Sequence, residues 1–137
     1  PLVSLRYFNA YGPRSFNPKN PFNAYSSVIG VFHRQKNEGK PLTVTGDGKQ
    51  ARDFVHVWDI AQANLLAALS DKEFEVFNVG SGTSVSINEL AGLFGGPITY
   101  IPERKSEALI TWADISKISA ELGWEPRITL SEGMRNL

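Results

Sequence analysis

Asp53-Phe54-Val55-His56-Val57, then Ile60 to Leu69, then Glu75-Val76-Phe77-Asn78-Val79 form the stretch that decides the fold. The first run is rich in Phe and Val and reads as a strand. The second repeats apolar residues at Ile60, Ala63, Leu66 and Ala67, with Asp59 near its start, and reads as a helix. The third reads as a buried strand ended by Gly80-Ser81-Gly82. Strands alternating with helices indicate α/β packing.

The alternation continues in both directions. Upstream, Leu2 to Phe8 is a strand with Val3, Leu5 and Tyr7 on one face, ended by the turn Tyr11-Gly12-Pro13. Tyr25 to Asn37 carries helix-spaced Val28, Ile29, Val31 and Phe32, with Gly39 as a stop. Leu42-Thr43-Val44-Thr45 is a short strand, and Gly46-Asp47-Gly48 reads as a hairpin-type turn. Downstream, Ser86 and Glu89 form a capping box for a helix to Phe94, which Gly95-Gly96-Pro97 stops. Ile98 to Ile101 is a strand. Asp114 opens a helix with Ile115, Ile118 and Leu122 facing inward, closed by Gly123 and Pro126. Ser131 to Leu137 begins one more. There is no linker or repeat, so residues 1–137 read as a single unit. Its first strand has no lead-in and its last helix is short, so both ends read as cut.

Composition narrows the function. The 14 basic and 14 acidic side chains cancel, which argues against a general nucleic-acid binder. No segment approaches the ~20 apolar residues of a membrane span. With no Cys and two His, neither a disulfide framework nor a Cys- or His-rich metal site is expected. The expected compartment is the cytoplasm.

Gly46-Asp47-Gly48-Lys49-Gln50-Ala51 matches G-x-G-x-x-A formally, but a dinucleotide fingerprint must open a helix, and here a strand follows. A Tyr-x-x-x-Lys pair, which sets a phenol and an ammonium one helical turn apart for general-base work, is also missing. The four Tyr residues are followed four positions on by Tyr11, Ser15, Ile29 and Arg104. There is no nucleophile elbow. No catalytic set is therefore expected in this chain.

Four segments carry a family resemblance. Arg6-Tyr7-Phe8-Asn9-Ala10-Tyr11-Gly12-Pro13-Arg14 resembles R-Y-F-N-x-Y-G-P-R of extended short-chain dehydrogenase/reductases that act on nucleotide sugars. Gly46 to Val57 resembles their G-D-G-x-x-x-R-D-F-x-x-V, and Asn78-Val79-Gly80-Ser81-Gly82 their N-V-G-S-G turn. Ala113-Asp114-Ile115-Ser116-Lys117 with Leu122-Gly123-Trp124-Glu125-Pro126 is similar to their A-D-I-S-K…L-G-W-x-P ending. Each is weak alone, but they follow the family's order over nearly the whole chain. Within the family the nearest likeness is to UDP-hexose 4-epimerases, particularly those of UDP-N-acetylglucosamine. Tyr25-Ser26-Ser27-Val28-Ile29 resembles their Y-A-A-V-I-P, with Gly30 in place of Pro.

The resemblance implies the C-terminal, sugar-nucleotide-binding half of a Rossmann-type enzyme, with the NAD-binding half and the Tyr-x-x-x-Lys lying upstream. It implies oxidation of the sugar at C4 by NAD in the complete enzyme, rotation of the keto sugar and hydride return. NAD is not expected to bind this chain alone, and the complete enzyme is expected to be a homodimer. Asn9 would bond the diphosphate; its plainer role is capping a strand end. Tyr7 and Phe8 would lie beside the nicotinamide, or pack as aromatic core. Arg52 and Arg104 would hold phosphates through their guanidinium forks, and Glu107 would accept ribose hydroxyls. The plainer readings are an ion pair of Arg52 with Asp53 or another acid, and a solvated charge cluster for Arg104 and Glu107. Backbone groups of Thr43 and Val44 would read the uracil edge, or simply pair in a sheet. Thr111 would gate the sugar pocket, and its small size admits an N-acetyl group. His56 reads as structural and His33 as solvated. Competing functions are a nucleotide-sugar 4,6-dehydratase or decarboxylase of the same superfamily, a non-catalytic nucleotide-sugar binding module, and an inert self-associating domain.

Overall fold

The computed structural model describes residues 2–17 and 27–137. The elements run β1 (Val3–Tyr7), β2 (Asn9–Tyr11), α1 (Val28–Asn37), β3 (Leu42–Thr45), β4 (Ala51–Arg52), β5 (Phe54–His56), α2 (Val57–Leu69), β6 (Glu75–Val79), β7 (Val85–Ser86), α3 (Ile87–Phe94), β8 (Ile98–Ile101), α4 (Ser116–Leu122) and α5 (Leu130–Met134). Pairing is parallel for β1–β6, β2–β5 and β3–β8, and antiparallel for β4–β7. This is a mixed α/β fold.

The first strand changes partner at Phe8. Up to Tyr7 it pairs with β6, and the Phe8 amide still donates to the Val79 carbonyl (3.0 Å). The Asn9 amide then donates to Asp53 O (3.0 Å), and β2 continues along β5. All three residues of β5 are buried, because the strand is covered on both faces. Phe54 belongs to a core with Tyr11, Phe32, Leu42, Val44 and Leu90. Val55 points the other way, into a core with Ile60, Phe77, Val79, Ile118 and Trp124.

Several boundaries differ from the sequence reading, each for a local reason. Helix α2 starts at Val57, not Ile60, because the His56 ring caps it: Nδ1 accepts the Trp58 amide at 3.2 Å. Strands β3 and β4 lie in different sheets, so Gly46-Asp47-Gly48 is not a hairpin turn. It leads into β4 rather than a helix, as the failed dinucleotide match requires. Strand β6 is buried only at Phe77 and Val79, and β8 is exposed throughout. Helix α1 begins at Val28 after the Ser27 cap; Tyr25 and Ser26 lie outside the described residues. Asp114 precedes α4 rather than opening it, its carboxylate accepting from Ser116 N and Oγ. The last helix carries its own capping box, Thr129 with Glu132. His33 is half-buried, its ring against Phe16.

Asp59 ties the C-terminal segment to α2. Its carboxylate accepts the amides of Arg127 and Ile128 (3.1 Å each), and its carbonyl accepts Trp124 Nε1–H at 2.9 Å. Trp124 is 1% exposed. Gly123 supplies the left-handed turn (φ 63°) that brings this segment back.

Two outcomes follow. Asp59→Ala strands two backbone donors and should lower stability by about 2 kcal/mol in urea titrations followed by tryptophan fluorescence. Burial pushes the His56 imidazole below its usual range, partly opposed by Asp59. Below about pH 6.5 the unfolded chain therefore binds a proton at this position that the folded chain resists, so stability is lost as pH falls. His56→Asn keeps a capping oxygen and should flatten the stability profile between about pH 7 and 5.5.

Candidate functional site

A cleft of about 450 Å³ lies between β2, α1, β3, β4 and the loop after β8. Asn9, Thr43, Arg52, Arg104 and Glu107 all line it. Five expected ligand-binding residues, from four stretches of sequence, are thus brought together.

Arg52 lines the cleft from β4. Strand β4 is fixed on one side by pairing with β7 and on the other by residues 109–111: Ala51 N donates to Leu109 O (2.8 Å) and Thr111 N to Ala51 O (3.0 Å). The adjacent Asp53 anchors the same region from inside. Its Oδ1 accepts Ser81 N and Oγ (2.6 and 2.8 Å), and its Oδ2 accepts the amides of Gly82 and Ala113 (3.1 Å each). Gly80 has to be glycine here, since a Cβ would run into Ala113 Cβ and lie 2.8 Å from Asp53 Oδ2.

The Arg52 guanidinium is held along one side. Nη1 donates to the carbonyls of Ala51 (2.8 Å) and Ala108 (2.7 Å), and Nη2 to Glu107 Oε1 (2.9 Å). The partner acid is thus Glu107, not Asp53. Three of the five N–H groups are used; Nε–H and one Nη2 hydrogen have no partner among the described residues. Glu107 Oε2 is likewise open. Arg104 is exposed and makes no ion pair among the described residues. Asn9 Nδ2 donates to Asp53 O (2.9 Å), which fixes the amide plane and leaves its second hydrogen open.

Not every expected residue reaches the cleft. Val44 is fully buried in the core, and the β3–β8 ladder turns its peptide groups toward β8. It cannot offer an edge to a base. Thr111 is outside the cleft, with its Oγ1 buried and unbonded among the described residues. Tyr7 lines a separate depression beside Val3, Leu5 and Asn64, its hydroxyl donating to Asn64 Oδ1 at 2.9 Å. Phe8 is half-buried and also outside the cleft.

Ser15, Thr45, Gln50 and Gln35 escaped the sequence reading. The first three line the cleft, and the Ser15 hydroxyl is buried with no partner among the described residues. Gln50 Nε2 donates to Thr45 O (2.8 Å). Gln35 donates to Thr43 Oγ1 (2.8 Å) and accepts from Thr43 N (3.1 Å). The one available signal was a neutral amide, Gln35, on the inner side of an amphipathic helix.

Residues 1–80 match the sequence profile of the NAD dependent epimerase/dehydratase family. The chain belongs to this family. It superposes on a UDP-glucose 4-epimerase from Thermotoga maritima solved with UDP-glucose (35% identity, TM-score 0.85, 97% of this chain and 43% of that one). It also matches a UDP-glucuronic acid 4-epimerase from Bacillus cereus in complex with UDP-glucuronic acid and NAD (33%, 0.87, 99% and 43%). A third match is a UDP-N-acetylglucosamine 4-epimerase from Methanobrevibacter ruminantium in complex with UDP-N-acetylmuramic acid (34%, 0.87, 98% and 44%). The chain spans 40–43% of the length of curated relatives it matches, which include a 4,6-dehydratase as well as epimerases.

The Arg52–Glu107 pair is partly shielded, with side chains 14% and 32% exposed. A double-mutant cycle of Arg52→Ala and Glu107→Ala should give a coupling of about 1 kcal/mol in unfolding stability.

Proposed function

We propose that this chain is the nucleotide-sugar-binding part of an NAD-dependent UDP-sugar 4-epimerase. The observation that carries the reading is the convergence of two guanidiniums, an amide and a carboxylate on one cleft, with open donors on both Arg52 and Arg104.

The chemistry of the cleft fits a nucleoside diphosphate. The Nε–H and Nη2–H of Arg52 suit bidentate contact with one phosphate while Glu107 stays in place. Arg104 can reach the other phosphate, and the open Asn9 N–H can add a hydrogen bond between them. Glu107 Oε2 is available to ribose hydroxyls. The base lies against the outer edge of β3. There the alternation of the strand leaves the Thr43 carbonyl and the Thr45 N–H to read it, so Thr45 takes the part expected of Val44.

The described residues do not form a dinucleotide cradle, since the glycine pair at Gly46 and Gly48 leads into a strand. In this reading NAD belongs to the part of the enzyme's length that this chain does not match, and Tyr7 and Phe8 flank it from outside the cleft. The chain contributes binding and orientation, not the base. Unmodified hexoses and N-acetylhexosamines both remain within the proposal, since Thr111 does not wall the cleft. Among the described residues no helix is long and apolar enough to cross a membrane.

A second reading, a dTDP-sugar 4,6-dehydratase, is equally compatible with the proposed seat of the base. The edge of β3 meets only the N3–H and O4 of the base, which thymine shares with uracil.

Calorimetry tests the proposal. UDP should bind, more weakly as salt is raised, and NAD should not. Arg52→Ala and Arg104→Ala should each weaken UDP binding by ~1–3 kcal/mol. Tight NAD binding, or UDP affinity indifferent to both substitutions, would sink it.

A further inference from the structure

The two glutamines that touch β3 are not needed to hold the strand, which already has a full parallel ladder to β8. They act on its other edge. The amides of Leu42 and Gly46 donate toward β8, to Pro97 O (2.9 Å) and Ile101 O (2.8 Å). By alternation the peptide groups of Thr43 and Thr45 point the opposite way. In chain order that edge offers Thr43 N–H, Thr43 C=O, Thr45 N–H and Thr45 C=O. Gln35 Oε1 occupies the first at 3.1 Å, and Gln50 Nε2 occupies the last at 2.8 Å. Only the middle pair, an acceptor followed by a donor, is open among the described residues. Thr43, Thr45 and Gln50 line the same cleft as Arg52 and Arg104.

We infer that Gln35 and Gln50 are positioning residues that set base specificity, by closing the two seats on β3 that would suit cytosine. This rests on the nucleotide-sugar reading and deepens it. A uracil or thymine with N3–H on the Thr43 carbonyl sets O4 on the Thr45 N–H. Cytosine in that seat aims its N3 lone pair at a carbonyl and its amino group at an N–H. Kept in the same orientation, cytosine needs a donor followed by an acceptor. The edge has two such pairs, the N–H and C=O of Thr43 and the N–H and C=O of Thr45. Each is blocked by one glutamine. Selectivity here is a difference in affinity obtained by obstructing the competitor, with no side chain touching the base. The second Gln35 bond, Nε2 to Thr43 Oγ1 at 2.8 Å, locks the amide in the orientation that presents oxygen to the Thr43 N–H.

The test is calorimetric titration of the whole chain with UDP, dTDP and CDP, with far-ultraviolet circular dichroism to establish folding of each variant. The unsubstituted chain should prefer UDP and dTDP over CDP by about 100-fold, from two mismatched hydrogen bonds. Gln35→Leu opens the Thr43 seat and should cut that preference to about tenfold or less, mainly by improving CDP. Gln35→Glu should keep it, because the carboxylate still accepts the Thr43 amide while the Thr43 hydroxyl turns to donate. Gln50→Leu opens the other seat and gives an independent readout if Gln35→Leu does not fold. An unchanged UDP-to-CDP ratio in the folded leucine variants overturns the inference. So does binding of all three nucleotides alike by the unsubstituted chain, which leaves the nucleotide-sugar reading standing. Absence of binding by any of them removes both.

Discussion

The Asp53 carboxylate is wholly buried and accepts four hydrogen bonds, and the rest of the structure is arranged around it. A carboxylate taken out of water is costly unless its oxygens are satisfied by well-aimed donors. Here the donors come from the turn after β6 and from Ala113, far apart in sequence. Meeting that requirement pulls both segments onto the start of β5. The neighbouring Arg52 is thereby delivered to the cleft with its backbone held from two sides. The placement of Arg52 in the cleft is thus a by-product of satisfying one internal carboxylate.

The change of partner at Phe8 works in the same direction. A strand that left β6 for β5 without breaking would be a continuous sheet. Instead the ribbon β2–β5 stands between two hydrophobic cores, with Phe54 in one and Val55 in the other. Asn9 lies at the junction, where its backbone amide and its side chain both reach the Asp53 carbonyl. The residue that closes the junction therefore also lines the cleft.

What could be read from the chain depended on the range of the interaction. The capping box of Ser86 and Glu89, the strands Leu42–Thr45, Glu75–Val79 and Ile98–Ile101, and the stop at Gly95 were legible because they involve neighbours in sequence. The start of α2 was missed because a histidine ring, which no local pattern marks as a cap, accepts the Trp58 amide. Asn9 and Arg52 were legible as motif positions, and Thr43, Arg104 and Glu107 only as what the family resemblance implies. That Arg52 pairs with Glu107 was not, because the two are 55 residues apart and meet only through the β4–β7 and Ala51–Ile110 contacts. Val44 was expected to offer its backbone to a base, but its peptide groups are taken up by the ladder to β8. A motif gives the strand, but only its partner strand decides which peptide groups face outward.

On the proposed function, Glu107 also bears on the strength of anion binding. A free arginine side chain would lose rotamer freedom when it closed on a phosphate, a loss of about 0.5–1.5 kcal/mol for an immobilised side chain of this kind. Two carbonyls and one carboxylate have already frozen this one in the folded chain. On that function an incoming anion would meet a rigid fork whose ordering entropy was lost during folding, and the acid that pairs with Arg52 makes it ready rather than competing for it.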